Sequence, residues 1–520
     1  MSTLESDVLV IGGGMAAAWA AIGAAQEGAR VRLVDKGFLG TSGVTATAGP
    51  GHWFFAPEAR AAAIAQREAI AHGIADSAWM ARILDQTFRT LPTLEGHYKF
   101  GLNDQGVKLY GPVRGPEYMR ALRAKCEEVG VRILDHSPVL ELLLHTDGSV
   151  AGARGVHRQR DNQPFEARAA AVILATGGCA FFSNLLGSTN NTGDGYLMAS
   201  EAGVPLSGME FSNQYVVAPA FSAVTRTMSY AWATYYDASG KDLEIRTHDG
   251  GTRALARHLL EGPVYCDLSR MPVDIRERLP RISPNVMIPF RRKNIDPFRD
   301  RFPVTLHAEG TVRGMGGIQI ADDDCQTIVP GLYAAGDAAS RELVTGASSG
   351  GGAVNSAWAL SSGTWSGRAA ARRAKLLGSR AERPVEAIGQ AGLRPRRARQ
   401  QLSTSELIKQ TQDEILPYDK NLFRRGVQLS QSLGVLDQLW NEARDHLQDQ
   451  HIVRSRETAS VIASARFAYH AALHRRESRG MHQREDAPQS NAAYQERQTV
   501  YGLDQIRGSF DDRQSLEQAV

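Results

Sequence analysis

The sequence predicts an α/β fold in which a Rossmann-like domain is interrupted by an α+β capping domain and followed by a C-terminal helical domain. Three observations predict this fold. The chain opens with a strand, a glycine turn, a helix and a second strand; later apolar strands again run into Gly-rich turns; and helical spacing resumes after residue 403. A chain of 520 residues is too long for one core, so several domains are expected.

The first forty residues carry the pattern of a dinucleotide-binding unit. Residues 8–11 form a continuous apolar run, typical of a buried parallel strand, and three glycines follow at once. Gly12 permits a tight turn, Gly14 lets backbone N–H groups approach a pyrophosphate, and Ala17 allows close contact between helix and strand. Asp35 ends the second strand, where a carboxylate binds a ribose hydroxyl. The pattern does not distinguish nicotinamide from flavin.

Four later segments repeat the theme of a small-residue turn beside a strand or helix. They are residues 169–178, 193–195, 327–339 and 345–363. Each one alone is compatible with an ordinary α/β turn. Together they indicate one large cofactor that the backbone approaches closely at several points.

These segments together resemble the succinate dehydrogenase/fumarate reductase flavoprotein family, which includes L-aspartate oxidase and the alpha subunit of adenylylsulfate reductase. The similar motifs appear in family order along nearly the whole chain. They are residues 12–17, 35–36, 175–178, 193–195, 209–211, 315–317, 331–337, 355–356 and 474–488.

The resemblance implies that the Rossmann-like domain is an FAD-binding domain and that FAD is bound non-covalently. Succinate dehydrogenases carry covalent flavin on a histidine, and Gly43 stands in its place here. The residues implied to bind FAD are Gly12, Gly13, Gly14, Met15, Ala16, Ala17, Asp35, Lys36, Thr41, Ser42, Gly43, Thr45, Ala48, Gly49, Ala175, Thr176, Gly177, Asp194, Gly336, Asp337, Asn355, Ser356 and Ala357.

The chain departs from the family where dicarboxylate-handling members place their substrate cations. Tyr215 falls near the position of one family histidine, residues 235–244 replace the stretch that supplies an arginine, and Val312 and Arg313 occupy the position of a second histidine. Serines stand in the loop 345–352 in place of a clamping arginine. Because a buried dianion needs fixed cations, a reaction on succinate, fumarate or aspartate is not expected.

Three residues are candidates for catalysis: Arg313, Tyr215 and Arg341. Arg313 adjoins the Met-Gly-Gly turn that the resemblance places at the flavin. Tyr215 is a hydrogen-bond donor or a core residue, and Arg341 with Glu342 is a catalytic group or a surface ion pair. His307 is interpreted as a satisfied interdomain histidine.

The function that the resemblance implies is an FAD-dependent oxidoreductase exchanging a hydride between flavin N5 and a small anionic substrate. The first hypothesis is an adenylylsulfate-reductase-like flavoprotein subunit that exchanges electrons with a ferredoxin-like iron–sulfur subunit. The alternatives are an L-aspartate-oxidase-like or dicarboxylate enzyme using oxygen or fumarate, and a flavin electron-transfer subunit with no substrate of its own.

Composition bounds the partners and the compartment. With 59 Lys+Arg and 56 Asp+Glu the net charge is +3, so neither nucleic acid nor a membrane surface is expected as a partner. The four cysteines are far apart, so no metal site is predicted and free thiols are expected. No apolar run reaches transmembrane length and no signal-peptide layout opens the chain, which predicts a cytoplasmic protein. The sequence leaves an oligomer open.

Changes in composition set the predicted domain boundaries. A capping box of Ser403 and Glu406 opens the last domain. The linker arginines at 394, 396, 397 and 399 are interpreted as solvated or as contacts for an acidic redox partner. The boundaries are 1–203 and 305–378 for the two parts of the FAD-binding domain, 204–304 for the capping domain, 379–402 for the linker, and 403–520 for the C-terminal helical domain.

Overall fold

The computed structural model describes residues 2–225, 227–245, 251–378, 383–398, 400, 402–448 and 451–510. Its helices are α1 (Met15–Gln26), α2 (Arg60–Ala69), α3 (Ser77–Thr90), α4 (Gly115–Glu128), α5 (Asp194–Glu201), α6 (Gly251–Glu261), α7 (Val273–Ile282), α8 (Pro284–Lys293), α9 (Glu342–Thr345), α10 (Gly351–Leu377), α11 (Thr404–Ile415), α12 (Tyr418–Asn421), α13 (Gly426–His446) and α14 (Ile452–His474). Its strands are β1 (Ser2–Glu5), β2 (Val8–Ile11), β3 (Val31–Val34), β4 (Gly101–Leu102), β5 (Lys108–Leu109), β6 (Arg132–Leu134), β7 (Val139–His145), β8 (Val150–His157), β9 (Gln163–Arg168), β10 (Ala171–Leu174), β11 (Leu206–Ser207), β12 (Gln214–Pro219), β13 (Thr234–Tyr236), β14 (Tyr265–Asp267), β15 (Phe302–Gly310), β16 (Gly317–Ile318), β17 (Leu332–Ala334), β18 (Val385–Ala387), β19 (Gln498–Tyr501) and β20 (Arg507–Phe510).

A parallel sheet in the order β17-β10-β2-β3-β6 forms the centre of the first domain. Its strands β2 and β10 are fully buried, which explains their continuous apolar runs. Helix α1 packs against α10 with little space between the backbones. A Cβ atom added at Gly367 would lie 2.1 Å from the carbonyl oxygen of Ala20, so the small residues of the two helices are required for this contact. The predicted strand, glycine turn, helix and strand are all present.

A second sheet, in the order β1-β9-β8-β7-β18, lies beside the parallel one. Strand β18 comes from the segment that the sequence assigns to a linker, and it pairs antiparallel with β7. The described linker arginines pair with carboxylates of the same chain: Arg394 with Glu141, Arg396 with Asp504, and Arg397 with Asp445. Arg399 lies outside the described residues.

The capping domain is built on an antiparallel sheet in the order β12-β15-β14-β13, with α6, α7 and α8 beside it. Strand β15 runs through the predicted boundary at residue 304 and continues to Gly310. Its pairing with β12 contains a β-bulge. Gln214 pairs with Gly310 and Tyr215 pairs with Ala308, so Glu309 is the extra residue of β15 at this point.

The C-terminal region consists of α11 to α14 and two strands. The Ser403 side chain accepts a hydrogen bond from the Glu406 backbone N–H, as the predicted capping box requires. Strand β19 pairs with β11, which ties the end of the described chain to the start of the cap. Arg475 donates to Glu210 over 2.7 Å, and both side chains are fully buried.

Several classes of site were searched for in the described ranges. None of the helices there is long and apolar enough to cross a membrane. The same residues contain no group of three or more His, Cys, Asp and Glu side chains able to hold a metal ion. All four cysteines are buried and free.

Candidate functional site

A large cavity opens at the carboxyl ends of the parallel strands. Its empty space is about 1670 Å³, including the solvent at its mouth. Ile11 at the end of β2, Val34 at the end of β3, Ala175 just after β10 and Gly336 after β17 all line it. Ligands of open α/β sheets bind at this edge, so the cavity lies where the fold predicts a cofactor.

The N-terminus of α1 faces the cavity with unsatisfied N–H groups. Gly14 is the N-cap, and no side chain caps the helix. Gly12 has a φ of 129°, and a Cβ atom there would lie 2.2 Å from the carbonyl oxygen of Ala175. A Cβ atom at Gly14 would meet no protein atom within 4 Å. The packing therefore explains Gly12, whereas Gly14 leaves open the space in which an anion approaches the helix.

Asp35 supplies an orphan acceptor at the same end of the cavity. The residue is buried, and its Oδ2 atom accepts no hydrogen bond from the described residues. Burial raises the pKa of its carboxyl group, against the opposing effects of Ser42 and Gly37. Asn355 Oδ1 is a second buried acceptor that the described chain leaves unpartnered. A buried acceptor of this kind requires a donor, and ribose hydroxyls supply one.

Lys36 is held by carboxylates from two domains. Its Nζ atom lies 2.7 Å from Asp194 Oδ2 and 3.1 Å from Glu457 Oε1, and donates to Thr192 over 2.8 Å. Burial lowers the pKa of Lys36, but the two carboxylates outweigh it and raise the pKa above its ordinary value. Lys36 is therefore a charged and neutralised group in the wall of the cavity.

Most of the residues that the sequence assigns to FAD line this one cavity. Ala17, Thr41 and Ala357 do not line it: Ala17 and Ala357 are buried in helix contacts and Thr41 is exposed. Gly43, in the place of the family's histidine, has a φ of 77° and lies beside Gly14. The predicted residues in the lining are Gly12, Gly13, Gly14, Met15, Ala16, Asp35, Lys36, Ser42, Gly43, Thr45, Ala48, Gly49, Ala175, Thr176, Gly177, Asp194, Gly336, Asp337, Asn355 and Ser356.

Sequence reasoning missed another part of the lining. The missed residues belong to loops and to the cap, where no glycine pattern marks them. Among them, Asn190 and Asn191 immediately precede a predicted motif and could have been found from that position. Those that matter most for chemistry are Asn190, Asn191, Thr47, Thr225 and Glu309.

Arg313 and Glu309 form the polar pair where the cap meets the cavity. Arg313 Nε lies 3.3 Å from Glu309 Oε2, and the arginine side chain is 34% exposed whereas the glutamate side chain is only 3% exposed. Ser349 donates to the backbone carbonyl of Arg313 over 3.0 Å. Burial raises the pKa of the Glu309 carboxyl, and the Arg313 charge opposes that rise.

Arg341 lies behind the cavity wall rather than in it. Its side chain is 0% exposed, pairs with Asp337 Oδ1 over 2.5 Å, and donates to the carbonyl oxygens of Thr311, Val312 and Gly314. The interpretation of Arg341 and Glu342 as a surface ion pair is wrong, because both residues are buried. The position also gives no support to catalysis by Arg341, because the guanidinium is occupied in holding the turn that carries Arg313.

Tyr215 is likewise outside the lining. Its hydroxyl donates to the carbonyl oxygen of Leu416 over 2.8 Å, and its ring packs edge-on against Tyr418. Of the two alternatives for Tyr215, its surroundings therefore match the core residue. His307 bonds to the carbonyl oxygen of Ser222 over 2.9 Å through Nε2, as a satisfied cap histidine does.

Comparison with known proteins agrees with this arrangement. The family model described as "FAD binding domain" matches residues 7–81 and 103–354, and the one described as "Fumarate reductase flavoprotein C-term" matches residues 413–511. A subunit of the fumarate reductase (CoM/CoB) of Methanothermobacter marburgensis is 26% identical, and the match covers 94% of this chain and 95% of that subunit. The L-aspartate oxidase of Streptomyces coelicolor is 25% identical, with 93% and 89% covered.

Solved structures show the same fold. A mutant of the Escherichia coli quinol fumarate reductase FrdA superposes with a TM-score of 0.83 at 21% identity, covering 98% of this chain and 97% of that chain. The adenylylsulfate reductase of Archaeoglobus fulgidus superposes with a TM-score of 0.75 at 16% identity, covering 98% and 96%. The predicted FAD-binding, capping and C-terminal helical architecture is thereby confirmed.

Fold and site together define an FAD-dependent oxidoreductase. The open N–H groups at α1 and the orphan acceptor of Asp35 fit the pyrophosphate and ribose of FAD, which supplies hydride transfer when it is bound. The chain belongs to the succinate dehydrogenase/fumarate reductase flavoprotein family. The predictions of the family, of FAD and of an oxidoreductase are confirmed.

Proposed function

We propose that this oxidoreductase acts on a small substrate with a single anionic group, which Arg313 binds where the cap meets the cavity. The observation that carries the proposal is the partly exposed guanidinium of Arg313 in the lining, 3.3 Å from Glu309. An arginine fork that is reachable from the cavity pairs readily with a carboxylate, a sulfonate or a phosphate.

The charges of the cavity argue against a dicarboxylate substrate. The described lining contains two cations, Lys36 and Arg313, and four carboxylates, Asp35, Asp194, Glu309 and Asp337. Lys36 is already neutralised by Asp194 and Glu457. A second anionic group on the substrate would find no uncommitted cation in this part of the chain, and burying it without one is costly.

We also propose that the electrons pass to or from a separate protein, a ferredoxin-like iron–sulfur subunit. The support is a name: the methanogen relative that covers almost the whole chain is named as one subunit of a larger enzyme. A substrate handled as in adenylylsulfate reductase fits a site with a single anion partner. The dissociable state of FAD is part of the same proposal, because Gly43 offers no side chain for a covalent link.

The experiment is anaerobic bleaching of the flavin absorbance by a panel of compounds. The panel contains small monocarboxylates, sulfite with AMP, succinate, fumarate with reduced enzyme, L-aspartate and reduced ferredoxin. We expect a monoanion to bleach the wild type, and Arg313→Gln to weaken its apparent affinity by about 10- to 100-fold, since a charged hydrogen bond is lost.

Arg372→Gln is the matched control for the arginine substitution. Arg372 is half-exposed, pairs with Asp324, and does not line the cavity. Its substitution is expected to leave the bleaching unchanged. Efficient bleaching by succinate or L-aspartate would overturn the proposal of a monoanionic substrate. Flavin that stays with the protein after acid denaturation would contradict the non-covalent state.

A further inference from the structure

Glu309 is placed by a backbone irregularity that the rest of the cap sheet does not share. It is the bulged residue of β15, opposite the step between Gln214 and Tyr215. The following Gly310 has a φ of 54°, and a Cβ atom there would lie 2.2 Å from the carbonyl oxygen of Cys179. Bulges redirect side chains next to active sites, and this one sets a carboxyl group in the cavity wall.

The surroundings of Glu309 leave its carboxyl group able to change protonation. Its Oε2 atom accepts no hydrogen bond from the described residues, although Arg313 Nε lies 3.3 Å away. Thr225 Oγ1 lies 3.4 Å from Oε1. Burial raises the pKa of Glu309, Arg313 and Thr225 oppose the rise, and the charge of Asp337 adds to it.

The other acidic residue at this end of the cavity is committed elsewhere. Asp337 is paired with the fully buried Arg341 over 2.5 Å, and that guanidinium also binds three backbone carbonyl groups. Arg313 remains charged at any pH in which the protein is folded and is needed for the anion. Glu309 is thus the group in the described lining of this end that combines burial, an unpartnered oxygen and a raised pKa.

We infer that Glu309 is the proton donor and acceptor of the reaction, an inference that rests on the proposed function. The substrate class is then a monoanion in which a C–H bond adjoins an X–H bond, where X is oxygen, nitrogen or carbon. Bound FAD accepts the hydride of the C–H bond. The Glu309 carboxylate takes the proton of the X–H bond and becomes a carboxylic acid, while a C=X double bond forms. In the reverse direction the carboxylic acid returns the proton.

The proton site is tested without any substrate by infrared spectroscopy of the FAD-loaded enzyme. The carboxylic-acid C=O band is followed as the pH rises above the range in which ordinary glutamates titrate. We expect the wild type to lose one carboxyl band in this titration and Glu309→Gln to lack that band. Glu309→Asp is expected to show it at a shifted position. A titration that is identical in the wild type and in Glu309→Gln would overturn the inference.

Activity provides a second, independent measurement. With a panel compound that bleaches the wild type, Glu309→Gln is expected to slow flavin reduction by about 100-fold or more, and Glu309→Asp to restore part of the rate. FAD content and melting temperature confirm that each variant is folded and loaded. Glu261→Gln, an exposed cap residue, is the matched control and keeps the wild-type rate.

The two measurements separate the inference from the proposed function. If no monoanion bleaches the wild type, the proposed function fails, and the infrared titration still decides whether Glu309 carries the proton. If a monoanion bleaches Glu309→Gln at the wild-type rate, Glu309 is not the proton carrier, while the proposed substrate class of Arg313 stands.

Discussion

The Gly14→Ala substitution separates the needs of the cofactor from the needs of the fold. A Cβ atom at Gly14 would contact no protein atom within 4 Å, so the protein itself has room for it. Gly13 differs, because a Cβ atom there would lie 2.0 Å from Asp35 Oδ2. An effect of Gly14→Ala on FAD binding is therefore due to the space that the cofactor occupies.

The expected magnitude follows from the N–H groups at the start of α1. A methyl group at the N-cap holds a pyrophosphate away from these donors, and a hydrogen bond to a charged group contributes about 1.5–3 kcal/mol. The loss of one such bond weakens FAD binding by about 10- to 100-fold. The cost to the fold is smaller, at most about 1 kcal/mol, because alanine is a poorer N-cap than glycine.

The assay is fluorescence titration of the apoprotein with FAD, together with urea denaturation of the apoprotein. Gly96→Ala is the matched control, since a Cβ atom there also meets nothing within 4 Å and Gly96 does not line the cavity. We expect Gly96→Ala to bind FAD as the wild type does. Wild-type affinity in Gly14→Ala would refute the placement of the pyrophosphate at the N-terminus of α1.

Three further predictions concern stability and the corrected residues. Arg341→Met is expected to destabilise the protein by about 3–5 kcal/mol in urea denaturation because it leaves Asp337 buried without its cation, whereas Arg372→Met is expected to cost no more than about 1 kcal/mol. His52 is buried and its pKa is lowered to about 4, so its neutral form is fully stabilising above pH ~6.5, and the free energy of unfolding falls by up to about 1.4 kcal/mol per pH unit between pH ~6.5 and 4. His52→Asn removes this part of the pH dependence, and an unchanged profile would contradict it. Tyr215→Phe is expected to cost about 1 kcal/mol through its lost bond to Leu416, with the rate of flavin bleaching unchanged; a lost rate would return Tyr215 to the site.

The cofactor half of the site could be predicted because its signals are local. A strand that ends in Gly12, a helix that begins after Gly14 and a carboxylate after the next strand define their own geometry within about thirty residues. Parallel strands then bring Ala175 and Gly336 to the same edge. The glycine turns therefore predict a shared cavity even though hundreds of residues separate them.

The substrate half could not be predicted in the same way. The face that Tyr215 presents depends on a β-bulge, and one extra residue in a strand reverses the alternation on which such predictions rest. The partners of Arg341 are mostly backbone carbonyl oxygens, which no residue type reveals. Glu309 carries no motif, and only the fold brings it beside Arg313 in the lining of the cavity.

The bond between Lys36 and Glu457 has a consequence for the order in which the protein is made. The two residues are 421 positions apart, and Glu457 lies on α14. During translation the N-terminal strands emerge long before α14 exists, and domains fold as they emerge. Lys36 therefore lacks one of its two carboxylates until the ribosome has made α14. The finished FAD site forms only after translation has passed residue 457, so cofactor loading follows synthesis rather than accompanying it.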